Sequence, residues 1–468
     1  MRWWVRAGAS RMSDNHSSPA KKGLLALAWP IFIEQLLHMS TGVLDTFMVS
    51  HLSDNAVAAL GSANQVIIVF VVLFGAVGIG TSVVVTHHLG GGDRAGADRI
   101  AATAIGVNTW FGLACSLLVF GLAEPILTLL QLSPALRELA LPFLTLMGAT
   151  LVLEALIQAI SAVLRAHGHT RAPMVVAIAQ NVLNVVGNCI LLFGLFGAPK
   201  MGVLGVALST VFSRVVACMV MWLLLQKMVH LKVQATDFFG ISMERLRRIL
   251  HIGVPTAAEQ ISWFLAFMTV TAFTARMGDQ ALATQSYVMQ MVWMVVLCSM
   301  AIGLATEIMV GHMVGAGDFE AAYRQLLRSL RLGFAISIGV VAVVAAASPW
   351  ILGLFTKDPA IIATGTLLMR IGLLLEPGRV FNIVVINSLR AAGDARYPVL
   401  IGMASTWGVM AFGSWLLGTW MGYGLVGVWA AMIVDEWLRG LLMYRRWKQR
   451  KWLKYAERTH RKVQAGGA

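Results

Sequence analysis

Charge is what this chain has least of. Asp, Glu, Lys and Arg make up 12% of its 468 residues, against 58% hydrophobic residues and a mean hydropathy of +0.76. Ordinary soluble domains carry about 25% charged residues, so the composition excludes a soluble globule and indicates a polytopic membrane protein. Cysteine is scarce too. Cys115, Cys189, Cys218 and Cys298 lie in apolar segments without metal-ligand spacing, which reads as buried packing thiols and not a disulfide framework. No GxxxxGK[ST] loop occurs, and no polar stretch is long enough for a nucleotide-binding domain, so energy for any pumping must come from elsewhere. Nor is there a nucleophile–base pair or metal cluster at membrane depth, which argues against an enzyme, a cofactor or a bound metal. The HGH of His167 and His169, with His87 and His88 nearby, has no accompanying carboxylate set.

What charge there is has a sign, +14 overall. Nucleic acid is not the partner this implies, because much of the excess sits in two tails, Arg2 to Lys22 and Arg445 to Lys462. Twelve apolar segments begin near residues 24, 61, 101, 141, 173, 202, 250, 285, 331, 364, 399 and 424, each long enough for a bilayer core needing about 20 helical residues. Of 36 Lys and Arg, Arg137, Lys200, Arg276 and Lys357 fall on one side and Arg214, Arg370, Arg379 and Arg439 within spans. All the others share the side of the termini, so the positive-inside rule puts both termini in the cytoplasm. A cleaved signal peptide is not expected, since the first apolar run is a full span without a small-residue cleavage site; Met12 is an alternative start to Met1.

The first span contains a proline, a Glu-Gln pair and an aspartate, and much of this recurs. Pro255, Glu259 and Gln260 repeat Pro30, Glu34 and Gln35 at a shift of 225 residues. At the same shift Gly78 and Thr81 match Gly303 and Thr306, HHLGGGD ending at Asp93 matches HMVGAGD ending at Asp318, and LRAHGHTRAP (164–173) matches LRAAGDARYP (389–398). Six spans separate the copies, so both enter the membrane in the same direction and the pseudo-twofold axis runs along the membrane normal. The expected organisation is all-α: a tail 1–23, an N-lobe 24–226, a polar linker 227–249, a C-lobe 250–444 and a basic tail 445–468.

These motifs, P-x3-EQ with VLDT, G-x2-T, G-x-GD, the asparagine row of the fifth span and the duplicated LRAxGxxRxP, resemble those of the multidrug and toxic compound extrusion (MATE) antiporters from about Leu24 to Arg446. The resemblance implies two six-helix lobes, alternating access, export of small organic substrates in exchange for H+ or Na+, and a bacterial inner-membrane location. A monomer in the lipid bilayer is expected. It also marks Pro30 as a kinking proline and Asp45, 15 residues later, as the coupling aspartate. Two departures leave the ion open: Asn188 and Arg379 stand where many relatives carry aspartate.

Other candidates come from the residues themselves. Asn181, Asn184 and Asn188 share one helical face, so Asn184 and Asn188 could complete an ion site with Asp45 while Asn181 lines the pathway. Glu34 and Glu259 are the next candidates for cation coupling after Asp45 and would give a central cleft a cation-attracting lining, or be held by Gln35, Gln260 or another helix. Trp263, Tyr287, Gln290 and Trp293 are adaptable candidates for contact with flat organic solutes. Glu376 and Arg379, three residues apart, are expected to pair within their lobe, with a bridge from Arg379 across to Glu154 as the alternative. Arg165 and Arg390 are read as helix-end anchors reaching headgroups, and Pro255 as the second hinge. Export of one anionic metabolite and lipid-linked flipping stay open as other functions, the first because of Arg379.

Overall fold

The computed structural model describes residues 23–231, 238–240 and 242–466. The basic N-terminal stretch with both candidate start residues, and residues 232–237 and 241 of the expected linker, lie outside the described residues. Among the described residues there is no strand.

In chain order the helices are α1 (Leu24–Ser50), α2 (Asp54–Gly90), α3 (Arg94–Leu129), α4 (Pro134–Ala149), α5 (Leu151–Ala166), α6 (Arg171–Phe193) and α7 (Gly202–Met228), followed by α8 (Met243–Ala275), α9 (Asp279–Ala316), α10 (Phe319–Phe355) and α11 (Pro359–Ala391). Helix α12 (Arg396–Trp420) includes π-helical turns over Thr406–Ala411 and Ser414–Trp420. Helix α13 (Gly424–Lys448) completes the spans, and α14 (Leu453–Gly466) follows. Among the described residues nine helices are long and apolar enough to cross a membrane, and α4 with α5 makes a tenth, bent by 46° at Thr150. Helices α8 and α13 have the length, 33 and 25 residues, but carry more charge. Twelve crossings in two six-helix lobes result, α1–α7 and α8–α13.

Side-chain caps start several helices. Ser53, Asp93, Ser133, Asp318 and Asp358 each accept a hydrogen bond from a first-turn amide, satisfying donors a helix start leaves free. Asp93 and Asp318 are repeat mates, so the short turn after α2 is rebuilt after α9. Helices α1 and α8 run through Pro30 and Pro255 as single segments.

Buried apolar side chains fall into four groups. One, with Phe74, Leu127, Phe143 and Leu144, is drawn only from the N-lobe; another, with Val288, Leu352, Met369 and Trp429, only from the C-lobe. The other two are shared. Leu27, Ala28 and Ile31 of α1 pack among C-lobe residues such as Ile308, Val384 and Leu389. Conversely, Ile249 and Ile252 of α8 pack among Val83, Ile160 and Leu164 of the N-lobe. The lobes are therefore joined at the end bearing the termini and separate at the other.

Lipid offers apolar side chains as good a home as protein, so helix association in a membrane depends on close approach through small residues and on interhelical hydrogen bonds. Both occur at this seam, in duplicate. A Cβ at Gly90 would collide with the carbonyl oxygen of His312, and one at Gly315, the repeat mate of Gly90, with that of His87. The His87 ring nitrogen Nε2 lies 2.6 Å from the carbonyl oxygen of Ala391, and the His312 Nε2 lies 2.8 Å from that of Ala166. A carbonyl only accepts, so each Nε2 carries the hydrogen. Both bonds cross between lobes.

Candidate functional site

The most polar buried ground in the N-lobe lies between α1, α6 and α7. Asp45 is 5% exposed, and one carboxyl oxygen accepts from the Asn188 amide at 2.6 Å. The same amide lies 3.4 Å from the Asn184 oxygen, whose own amide donates to Thr210 at 3.0 Å. Spacing of four on α6 and alignment with α1 thus bring together Asp45, Asn184 and Asn188, and leave the Asn188 oxygen buried without a hydrogen-bond partner among the described residues. Asn181, a turn away, accepts from Thr41 at 3.0 Å and so stands slightly apart. A carboxylate, two amides and a hydroxyl on three helices form an all-oxygen donor set suited to a proton or a hard cation. The C-lobe has no equivalent, since the shift of 225 carries Asp45 to Val270 and Asn188 to Gly413.

Nearby, Glu154 is held by Arg214 at 3.5 Å and by the Gln158 amide at 3.1 Å, with the half-exposed His38 at 3.9 Å. In the C-lobe Arg379 reaches Glu376 at 2.8 Å and Glu436 at 3.4 Å, while Arg439 bridges Asp435 and Glu436. The expected Glu376–Arg379 pair is present within its lobe, and each of Glu154 and Arg379 is engaged on its own side. Arg379 is only 7% exposed between two carboxylates, so it offers no free charge to an anionic solute, contrary to the reason for keeping that substrate class open.

Arg165 donates to Glu34 and Arg390 to Glu259, both at 2.6 Å. These are repeat copies of one salt bridge. The arginines are 8% and 7% exposed, so the reading of them as headgroup anchors is corrected: a carboxylate on a neighbouring span attracts each guanidinium inward. The same contacts show what holds Glu34 and Glu259, namely arginine on another helix and not Gln35 or Gln260.

The aromatic candidates divide. Trp263 stacks on Phe267 at 5.3 Å and meets Trp293 edge-on at 6.4 Å, with Trp293 exposed and Gln290 exposed one turn before it. Tyr287 instead stacks on Phe355.

Sequence reading missed three features: the acid–base cluster of α13, the crossed histidine bonds and Glu307 on α9. Glu307 is fully buried, and neither carboxyl oxygen has a hydrogen-bond partner among the described residues. A signal existed, since the repeat mate of Glu307 is Ser82 inside an otherwise matched motif.

Comparison with known proteins gives a consistent picture. The MatE family profile matches residues 30–190 and 255–416, two stretches that begin on the repeated prolines. The chain is 42% identical over 93% of its length, and 96% of the relative's, to the uncharacterized transporter YisQ of Bacillus subtilis (strain 168). It is 28% identical to the probable multidrug resistance protein NorM of Chromobacterium violaceum, covering 90% and 92% of the two chains. Its fold matches a solved outward-facing multidrug resistance MATE family transporter with a TM-score of 0.86 at 20% identity, covering 94% and 97%. It also matches a MOP superfamily transporter from Pyrococcus furiosus with a TM-score of 0.84, again at 20% identity and covering 93% and 96%.

Proposed function

Because the chain belongs to the MatE family, we propose that it is a secondary active exporter that moves organic, often cationic, compounds out of a bacterial cell in exchange for H+ or Na+. The observation that carries this is Asp45, a buried carboxyl hydrogen-bonded by Asn188 in a lobe joined to its twin at one end only. Lys and Arg cluster at that joined end, which makes it cytoplasmic and the cleft outward-facing.

The ion binds in the N-lobe, where Asp45 supplies the charge and Asn184, Asn188 and Thr210 supply neutral oxygens. The C-lobe lacks the aspartate and amides at the matching positions, so a single coupling site is sufficient. Glu34 and Glu259, already neutralised by Arg165 and Arg390, serve to hold spans within each lobe. Solute enters between the lobes past the face of α8 and α9 that carries Trp263, Gln290 and Trp293, since aromatic faces accept flat cations without fixed geometry. Each cation moving down a membrane potential supplies about 2.3 kcal/mol per 100 mV. Multidrug resistance names borne by relatives such as NorM support a range of organic substrates.

The test is efflux of a fluorescent organic cation from proteoliposomes under a pH gradient alone and a Na+ gradient alone, with Asp45→Asn beside the native chain. Efflux under one gradient, lost in the variant, identifies the ion and its site. Normal gradient-driven efflux by Asp45→Asn overturns the coupling role, and no gradient-driven movement by native chain overturns the exporter.

A further inference from the structure

Glu307 takes no part in the N-lobe ion site. It lies nine residues before the end of α9, about 14 Å along the axis at 1.5 Å per residue, and so well inside the seam that joins the lobes. Its neighbours Ala305, Ile308, Met309 and Val310 pack with Leu27, Ala28 and Ile31 of the opposite lobe, and one turn on Gly311 abuts Thr86 of α2. The carboxyl is 0% exposed, enters no ion pair among the described residues and has both oxygens unpartnered.

The charged groups bearing on it are Arg390 from α11 and Arg165 from α5, one guanidinium from each lobe. Each is already committed, to Glu259 and to Glu34. Helix α2 brings no charge between Gly78 and Thr86, and His87 and His312 are engaged by backbone carbonyls. Of the two repeat-related positions only this one bears a carboxyl, so one acid faces two symmetry-related arginines. An ionised carboxylate buried without a donor costs several kcal/mol, a cost removed when the lobes part and water or an arginine hydrogen reaches it.

We propose that Glu307 is a proton-binding latch: as the neutral acid it lets the cytoplasmic seam close, and loss of its proton drives the seam open. Its proton comes and goes with the seam and is not the ion that drives export. The latch rests on the alternating-access reading above, but its readout does not need transport.

The experiment uses the full chain in lipid nanodiscs, the four native cysteines replaced by serine, with spin labels at Ala95→Cys and Ala316→Cys, exposed positions on opposite lobes beside the seam. Pulsed electron resonance then reads the distance between them as pH is raised from about 5.5 to about 9. In the native background the open-to-closed ratio rises by up to about tenfold per pH unit between the titration points of the carboxyl in the open and the closed seam, and levels off above the second, as a single proton requires. Glu307→Gln, of equal shape and unable to ionise, holds the short distance throughout, and Glu307→Asp keeps the response with a displaced midpoint. A Glu307→Gln chain that follows the native curve, a native distance indifferent to pH, or an unresponsive Glu307→Asp overturns the latch. Titrating distances in a chain without gradient-driven efflux would keep the latch and remove the exporter; efflux with an invariant distance would do the reverse.

Discussion

Arg165 and Glu34 are far apart in sequence yet share one hydrogen bond of 2.6 Å, and their side chains are only 10% and 12% exposed. Removing one member leaves a charge without its partner at low exposure, a loss of about 3 kcal/mol for buried pairs. Arg165→Met should therefore lower the unfolding midpoint in detergent clearly, whereas Glu34→Gln combined with Arg165→Met should recover most of it. Equal loss in single and double variants would show that the pair does not hold α1 to α5. At the turn after α2, burial raises the proton affinity of Asp93, but the Gly96 amide, His88 and Arg99 outweigh it and hold the carboxyl below its ordinary range. A lowered native value means its stabilisation is complete above the usual carboxylate range and fades only as pH falls through the lowered one. Asp93→Ala should cost about 1 kcal/mol, a typical cap, with no change in that cost between pH 6 and 8 by thermal shift; a cost that shrinks as pH rises through that window would assign it to a protonated His88. Residues of this kind were legible unequally. Asp45 and the asparagine row announce themselves as polar atoms in apolar runs, and Glu34 and Glu259 by repetition. What each one faces was hidden, because a partner on another helix leaves no trace in spacing.

Apolar length and turn chemistry made the spans readable, and the repeat fixed which helices are mates. Two element-level facts were not readable. The bend at Thr150 has no proline at the break, since Pro142 lies two turns earlier, and Gly148, two residues before it, does not stand out among the 45 glycines of the chain. The closeness of α2 to α9 was also concealed, although its enabling residues stood in the matched HHLGGGD and HMVGAGD motifs. Glycine there permits backbone contact, and a side chain forbids it. Gly90→Val and Gly315→Val should loosen the seam to a comparable degree because each meets the repeat-equivalent histidine carbonyl, of His312 or His87, in the opposite lobe. The measure is alkylation of a single cysteine at Val314, fully buried in the shared core, which should quicken in both variants. Quickening in one alone would mean that the two faces of the seam do not carry equal weight.

At the scale of the molecule, duplication and membrane class follow from the sequence, while the end at which the lobes meet does not, because both closures use the same helices. The C-terminal stretch bears on this. It reads as a basic tail, yet Trp452, Ala456 and Val463 are buried while Lys454, Arg458 and Arg461 face outward, an amphipathic pattern broken from α13 by the left-handed Arg450. Trp452 stacks on Trp447 at 4.2 Å and so anchors α14 to the C-lobe. From there α14 reaches over the seam: His460 Nδ1 lies 2.8 Å from the Gly315 carbonyl, and Val463 sits against Gly91 of the N-lobe. One short helix thus touches both lobes only while they are together, and its contacts favour the closed seam over the open one. A chain ending at Trp452 keeps the anchor and loses the reach. Hydrogen exchange over residues 86–97 and 310–318 should then speed up, while the lobe-exclusive cores around Phe143 and Trp429 stay protected. Exchange unchanged at the seam would mean that the glycine contacts and crossed histidine bonds close it unaided, and that α14 rides on the C-lobe without bracing the pair.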